Sequence, residues 1–423
     1  MGGKNKSSHT SRNQSCDRLV LMSMRKIVIA TLLALAAGNL NAQNYYVYVA
    51  AESEDEVSLV KFDGETAKSV KDIPVGVWPA EIEGPHGLTV SPDGKHWYLT
   101  LAHGNPFGTI YKFSTETNQV VGQTTLGLFP ATMQISKATG LLYCVNFNLH
   151  GDMVPSTVSV VDPETMTELK RITTGAMPHG SRISPDGMKH YSVAMMSGEL
   201  FEIDALNLDV SRVLALDDAE MDHSKMDHSK MDHSKMDHSK MDHSKAESNK
   251  EDAKMDHSKM DHSKMDHSKM DHGGMKHSRV KPTWVIPHPH HSKVYVAGNG
   301  ADEVLEVDLG SWKVTNKYAT GKGPYNVEIS PDGKKMVVTY KSEGATGIWD
   351  LETGKELAKV QNTRKVSHGI AITPDSKYAF VSVEGIGGEP GAVDVLDLEK
   401  LTKVASADIG KQAGGIAFWK VEP

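Results

Sequence analysis

Six times along this chain a short apolar strand opens on a proline or a small residue, turns through an SPDGK-like loop and returns as a second apolar strand, and a seventh opening stands near the C-terminus. The openings stand at Pro85, Pro130, Pro178, Pro282, Pro324, Ser367 and Ala413. Five of the six spacings are 45, 48, 42, 43 and 46 residues, and only Pro178 to Pro282 is longer. Third-strand segments such as TVSVVDPETMTEL and EVLEVDLGSWKV follow, alternating apolar and polar residues before an Asp turn, as a half-buried hairpin requires. Units of ~40–50 residues with four short strands each are the signature of β-propeller blades. The expected fold is therefore all-β, a seven-bladed β-propeller. The seventh unit ends after one strand, AGGIAFWKV, so its other strands must come from the opposite end of the chain. Residues 44–64, NYYVYVAAESEDEVSLVKFDG, have second- and third-strand character, and a last blade built from both ends leaves no exposed sheet edge.

Four segments result: a leader over 1–42, propeller over 43–216, an insert over 217–280 and propeller again over 281–423. The leader holds a short basic region, Met24-Arg25-Lys26, then the apolar run Ile27 to Ala37, too short to span a bilayer, then the small residue Ala42 before a cut. This is the pattern of a secretory signal peptide, with Met1 and Met24 both candidate initiators. It predicts a periplasmic or secreted protein without a stable membrane anchor. A net charge of −8 argues against a nucleic-acid partner. Only Cys144 lies outside the leader, so no internal disulfide is expected.

The segments YVAGNGADEVLEVDLGSWKV and STVSVVDPETMTELKRITTG, with the SPDGK turns, resemble the YVTN-type repeats of exported bacterial seven-bladed propellers, the YncE-like proteins. A more distant likeness is to the propellers of cytochrome d1 and nitrous oxide reductase. The resemblance implies a fold and leaves activity open, since propellers host many unrelated functions.

Propeller topology puts the SPDGK turns on one face, here the bottom, and the strand entries with the second-to-third connections on the top. The residues just after the seven entries are His86, Ala131, His179, Thr283, Tyr325, His368 and Gly414. His86, His179 and His368 are spread around the axis on the innermost strands, where three imidazoles with an open fourth position suit a zinc or copper ion. His103, His150, Met177, Met195, Met196 and Glu384 are further top-face candidates, and Arg182, Tyr325 and Asn326 would suit an organic anion. His288, His290 and His291 fall in a bottom turn and read as a His-rich surface turn.

The insert carries eight copies of MDHSK, then MDHGG and MKHSR. A period of five makes no stripe on a helix and no face on a strand. With Asp and Lys in every unit it cannot bury enough surface to offset its ordering entropy, so it is expected to be a disordered tether. Its candidate metal ligands are Met221, His223, Met226, His228, Met231, His233, Met236, His238, Met241, His243, Met255, His257, Met260, His262, Met265, His267, Met270 and His272. Thioether sulfur is soft and suits Cu(I), imidazole suits copper, zinc and nickel, and repetition raises local ligand concentration. The run resembles the Met/His-rich segments of exported bacterial copper-resistance proteins, which implies copper as the metal class.

The expectation is a monomeric, non-enzymatic copper-binding propeller, with Cu(I) favoured and silver, zinc and nickel as competitors. Another periplasmic metal-handling protein would exchange the ion with it. Two other readings stay open: a YncE-like scaffold for a protein or cell-wall ligand, and a metal-dependent hydrolase or redox enzyme.

Overall fold

A computed structural model describes residues 43–78, 80–103, 107–217 and 277–423. The leader and the MDHSK repeat from Met221 to His272 lie outside these residues. The repeating pattern forms seven four-stranded antiparallel sheets, the expected seven-bladed propeller. In blades one to six the strands run outward from the axis in chain order. Blade one, for example, runs from Pro85–Val90 through His96–Leu101 and Thr109–Ser114 to Val120–Thr125. Burial falls in the same direction: the first two strands are almost wholly buried and the fourth is mostly exposed. That gradient explains why inner strands read as apolar runs and outer ones as polar alternation. Among the described residues no helix is long and apolar enough to cross a membrane.

The innermost strands, Pro85–Val90, Pro130–Ile135, Pro178–Ile183, Pro282–Pro287, Pro324–Ile329, Val366–Ile372 and Ala413–Glu422, touch one another in a closed ring. Ala413–Glu422 begins blade seven. It pairs with Asn44–Ala51, which is followed by Glu56–Phe62 and Ala67–Pro74. The N-terminal segment thus supplies three strands, one more than its sequence declares. The third, AKSVKDIP, is an outer strand whose alternation is polar and weak. Seven apolar clusters fill the spaces between neighbouring blades. At the closure, Trp97 stacks on Phe113 at 3.8 Å and on Tyr48 at 5.0 Å, tying blade one to the N-terminal strand. Cys144 is buried in this packing, and desolvation pushes its thiol up, so it is inert.

The bottom turns repeat one device. Ser91 Oγ donates to Asp93 Oδ1 at 2.6 Å and accepts from the His96 N–H at 3.0 Å, while Gly94 takes the left-handed conformation (φ 71°). In blade four, HPHHSK replaces this turn. There His288 Nδ1 accepts the N–H groups of His290 and His291, both at 3.0 Å, and Nε2 donates to the Gly333 carbonyl at 3.1 Å. Both nitrogens are used, so His288 does the structural work of the missing Ser-Asp pair.

His190, fully buried between blades two and three, stacks on Tyr143 at 4.9 Å with neither ring nitrogen hydrogen-bonded. Burial, and then Arg182, lowers its pKa from 6.5 to about 3. The unfolded chain takes up this proton near 6.5 and the folded chain does not. The stability from neutral His190 is therefore complete above pH 6.5 and is lost as pH falls toward 3. We expect His190→Phe to match or exceed the parent in urea midpoint at pH 7. Between pH 6 and 4 it should remove up to ~1.4 kcal/mol per pH unit of acid sensitivity. An unchanged slope would show that His190 does not carry it.

Candidate functional site

Strand register builds the top of the axis. Each entry residue faces one residue of the second strand: Pro85 with Leu101, Pro130 with Asn146, Pro178 with Ala194, Pro282 with Gly298, Pro324 with Tyr340, Ser367 with Val383, and Ala413 with Ala51. A register shift follows every one of these pairs, and such bulges re-aim the side chain they carry. One step into the first strand lies a ring of His86, Ala131, His179, Thr283, Tyr325, His368 and Gly414. One step beyond the second-strand partner lies an upper ring of Ala102, Phe147, Met195, Asn299, Lys341, Glu384 and Glu52. Glycine two residues after the entry lets neighbouring inner strands meet: a Cβ on Gly87 would stand 1.9 Å from the Ala131 carbonyl oxygen. That is the physical basis of the Pro-His-Gly motif.

The three histidines converge. The His86 ring lies 5.9 Å from that of His179 and 6.0 Å from that of His368, and the three are 7%, 1% and 7% exposed. His86 Nδ1 donates to Glu52 Oε2 at 3.1 Å, and His103 Nε2 shares the other carboxylate oxygen at 3.0 Å. His150 Nε2 lies 3.4 Å from His103 Nδ1, continuing the chain toward solvent. His179 Nδ1 donates to the Thr283 carbonyl at 3.0 Å, which leaves the Nε2 lone pair to accept the Tyr325 hydroxyl at 2.9 Å. Lys341 Nζ sits 4.2 Å from the Tyr325 ring centre and 3.2 Å from Glu384 Oε1. His368 Nε2 is 3.8 Å from the same carboxylate oxygen, too far for a hydrogen bond.

Electrostatics separates these groups into fixed roles. Burial alone would raise the Glu52 carboxyl, but facing His86 and the hydrogen bonds from His103 and His86 hold it well below the usual carboxylate range. Burial, then His86, lowers His179 to about 3, and burial, then Lys341, holds His368 well below its ordinary value. Burial works against the Lys341 ammonium, yet Tyr325 and Glu384 raise it. The mouth therefore holds His179 and His368 as neutral imidazoles beside the ionised Glu52 carboxylate and the Lys341 ammonium, which pairs with Glu384. Beneath the rings lies a cavity of about 30 Å³, lined by all three histidines and by Asn326, whose buried Oδ1 has no hydrogen-bond partner. It has room for a water molecule or a bare ion.

Several expectations change on this geometry. Arg182 points down the channel, its guanidinium 2.7 Å from Glu328 Oε1 and stacked on Trp284 at 4.4 Å. That pairing engages the guanidinium on which the organic-anion reading called. Glu52 was not among the candidates, although it holds in blade seven the register position of Glu384 in blade six. Among the described residues no group of three or more His, Cys, Asp or Glu side chains is arranged to hold a metal ion as it stands. Both ring nitrogens of His179 are already engaged. The repeat's two roots are fixed on this same face: the Val280 N–H donates to Asp217 Oδ1 at 2.9 Å, and the Ser278 N–H to the Met196 carbonyl at 2.9 Å.

Replacing the Glu52 carboxylate by an amide keeps one oxygen acceptor and sets an NH2 group against the other of its two N–H donors. Glu52→Gln should lower stability by about 1–3 kcal/mol in urea unfolding at pH 7. It should also shift whichever of His86 and His103 faces the NH2 group to its other tautomer in ¹⁵N spectra. Retention of the original tautomer by both histidines would contradict the assigned role of Glu52.

Residues 144–407 match the family described as YNCE-like beta-propeller. No curated protein matches the chain. Among solved structures, one titled Kuenenia stuttgartiensis hydrazine synthase is similar, with a TM-score of 0.53 and 19% identity over 77% of this chain and 81% of that one. At that identity the likeness is one of fold.

Proposed function

The chain belongs to the YNCE-like β-propeller family, and on that scaffold we propose an exported, non-enzymatic copper-handling protein. In this reading the Met/His repeat captures soft ions as cargo and the axial histidines accept one of them. The observation that carries it is placement: the roots of a segment with ten methionines and ten histidines are pinned to the face where His86, His179 and His368 converge. Neutral buried imidazoles favour the reading, because an ion need not displace protons from His179 and His368. The ionised Glu52 supports it twice. It turns the His86 Nε2 lone pair free by holding Nδ1–H, and it supplies a negative charge beside an incoming cation. Acceptance at His179 requires the Tyr325 hydroxyl to leave Nε2.

A second reading, a docking scaffold for a protein partner, draws on exposed apolar residues in the top connections. Trp78 is 65%, Ile82 61% and Ile386 54% exposed. Such a partner would bind with or without metal.

Competition against a chromophoric Cu(I) chelator tests the main reading. The chain from Gln43 onward should take up several equivalents, and removing 218–276 should leave only the few that fixed sites on the propeller hold. His86→Ala with His368→Ala should remove about one equivalent of that remainder. Equal Cu(I) uptake with and without 218–276 would sink the capture role, whatever the axial residues do.

A further inference from the structure

Outside the leader and the repeat the chain has eight methionines, at 133, 153, 166, 177, 188, 195, 196 and 336. Four of them fall in three top-face connections of two neighbouring blades. Met153 follows strand Leu142–Asn146 in blade two, Met177 precedes strand Pro178–Ile183, and Met195 and Met196 follow strand Lys189–Ala194. All four belong to or pack on one apolar cluster that also holds Phe129 and Phe147. From these positions we propose that Met153, Met177, Met195 and Met196 form a second soft-metal site, a thioether patch for a monovalent soft cation such as Cu(I). The proposal rests on the copper-handling reading above and places the patch between the repeat's root and His179.

Three features of the backbone hold Met177, Met195 and Met196 together, and Met153 joins them through the shared cluster. The Met195 N–H donates to the Met177 carbonyl at 2.9 Å, and the Met196 N–H to the Ala176 carbonyl at 3.2 Å. Met177 adopts the left-handed conformation (φ 53°), the same turn that Phe129 makes one blade earlier to pack 5.2 Å from His86 and 5.0 Å from His103. The third feature is the root itself. The Met196 carbonyl accepts the Ser278 N–H at 2.9 Å, and the Leu216 N–H donates to Gly198 at 2.8 Å, so the repeat leaves and returns against the methionine loop.

Continuity with the axis is direct. Met195 is blade three's member of the upper ring, in the blade whose lower-ring member is His179, and Met177 is two residues before His179 in the chain. Met153, Met195 and Met196 are only half-buried, while Met177 is 8% exposed. Apolar filling would be served equally by leucine. A thioether adds a soft donor on a flexible chain that binds without losing a proton. An ion leaving the repeat thus meets sulfur before imidazole.

Silver(I) titration of the chain from Gln43 onward, labelled with [methyl-¹³C]methionine, tests this without redox chemistry. Single Met→Leu variants assign the signals, and Leu keeps volume and fold. Once the repeat signals have moved, the methyls of Met153, Met177, Met195 and Met196 should shift together, with those of Met133, Met166 and Met336, buried elsewhere, unmoved. The fourfold Leu variant should bind about one equivalent of silver fewer than the parent. If the four methyls stay still while the repeat saturates, they are packing residues only and the proposal falls, with the copper reading intact. If the repeat signals do not move either, both fall.

Discussion

The ring depends on one hydrogen-bonded ladder, the pairing of Asn44–Ala51 with Ala413–Glu422. Every other blade is made from contiguous chain and closes its own sheet. Blade seven exists only when residues nearly four hundred positions apart meet, so loop-closure entropy falls on this pairing above all others. The same ladder builds the site. Its last pair is Ala51 with Ala413, and the next residue, Glu52, is fixed by its N–H on the Gln412 carbonyl at 3.1 Å. Closing the ring therefore delivers the carboxylate between His86 and His103. An open ring would leave both histidines without their acceptor, so closure of the fold and order at the mouth are one event.

Histidines serve three unlike purposes in this molecule, and their hydrogen bonds separate them. His288 spends both nitrogens on its own bottom turn and on Gly333. His190 spends neither and acts as an aromatic wedge on Tyr143. His86 spends one, on Glu52, and keeps the other facing the axis. Composition cannot distinguish these uses, because imidazole is amphoteric and each burial environment selects the tautomer. Among the described residues the axial group draws partners from several blades, with Glu52, Tyr325, Lys341 and Glu384 all contributing.

Much of this was legible in the sequence because propeller blades repeat with a fixed register. The Pro-His-Gly entries announced themselves, and their convergence followed from the inner strand lying on the axis. Strand Ala67–Pro74 was not legible, since an outer strand buries little and its pattern is nearly that of a loop. Glu52 escaped for another reason. It follows strand two of a blade split between the chain ends, so no neighbouring motif marks its register. Aligning the seven second strands on their entry partners brings Glu52, Glu384 and Lys341 into one column, which is the signal that was available. The direction of Arg182 was hidden in the same way: only the pairing with Glu328, 146 residues away, shows that its charge is spent inside the channel.

The insertion point explains how a propeller tolerates so long a repeat. Leu216, Asp217, Ser278 and Val280 close the two roots with hydrogen bonds like those of any short top connection. Loop-closure cost grows only with the logarithm of length. Extending a four-residue connection to some sixty residues costs about 2 kcal/mol even for a wholly unstructured chain. Adding or removing one five-residue unit then changes stability by about 0.1 kcal/mol or less. Repeat number is therefore nearly invisible to the fold, while the axial groups, locked by ring closure, cannot change number at all. On the copper reading, this separates capacity, set by copy number, from a fixed acceptor built once by seven converging strands.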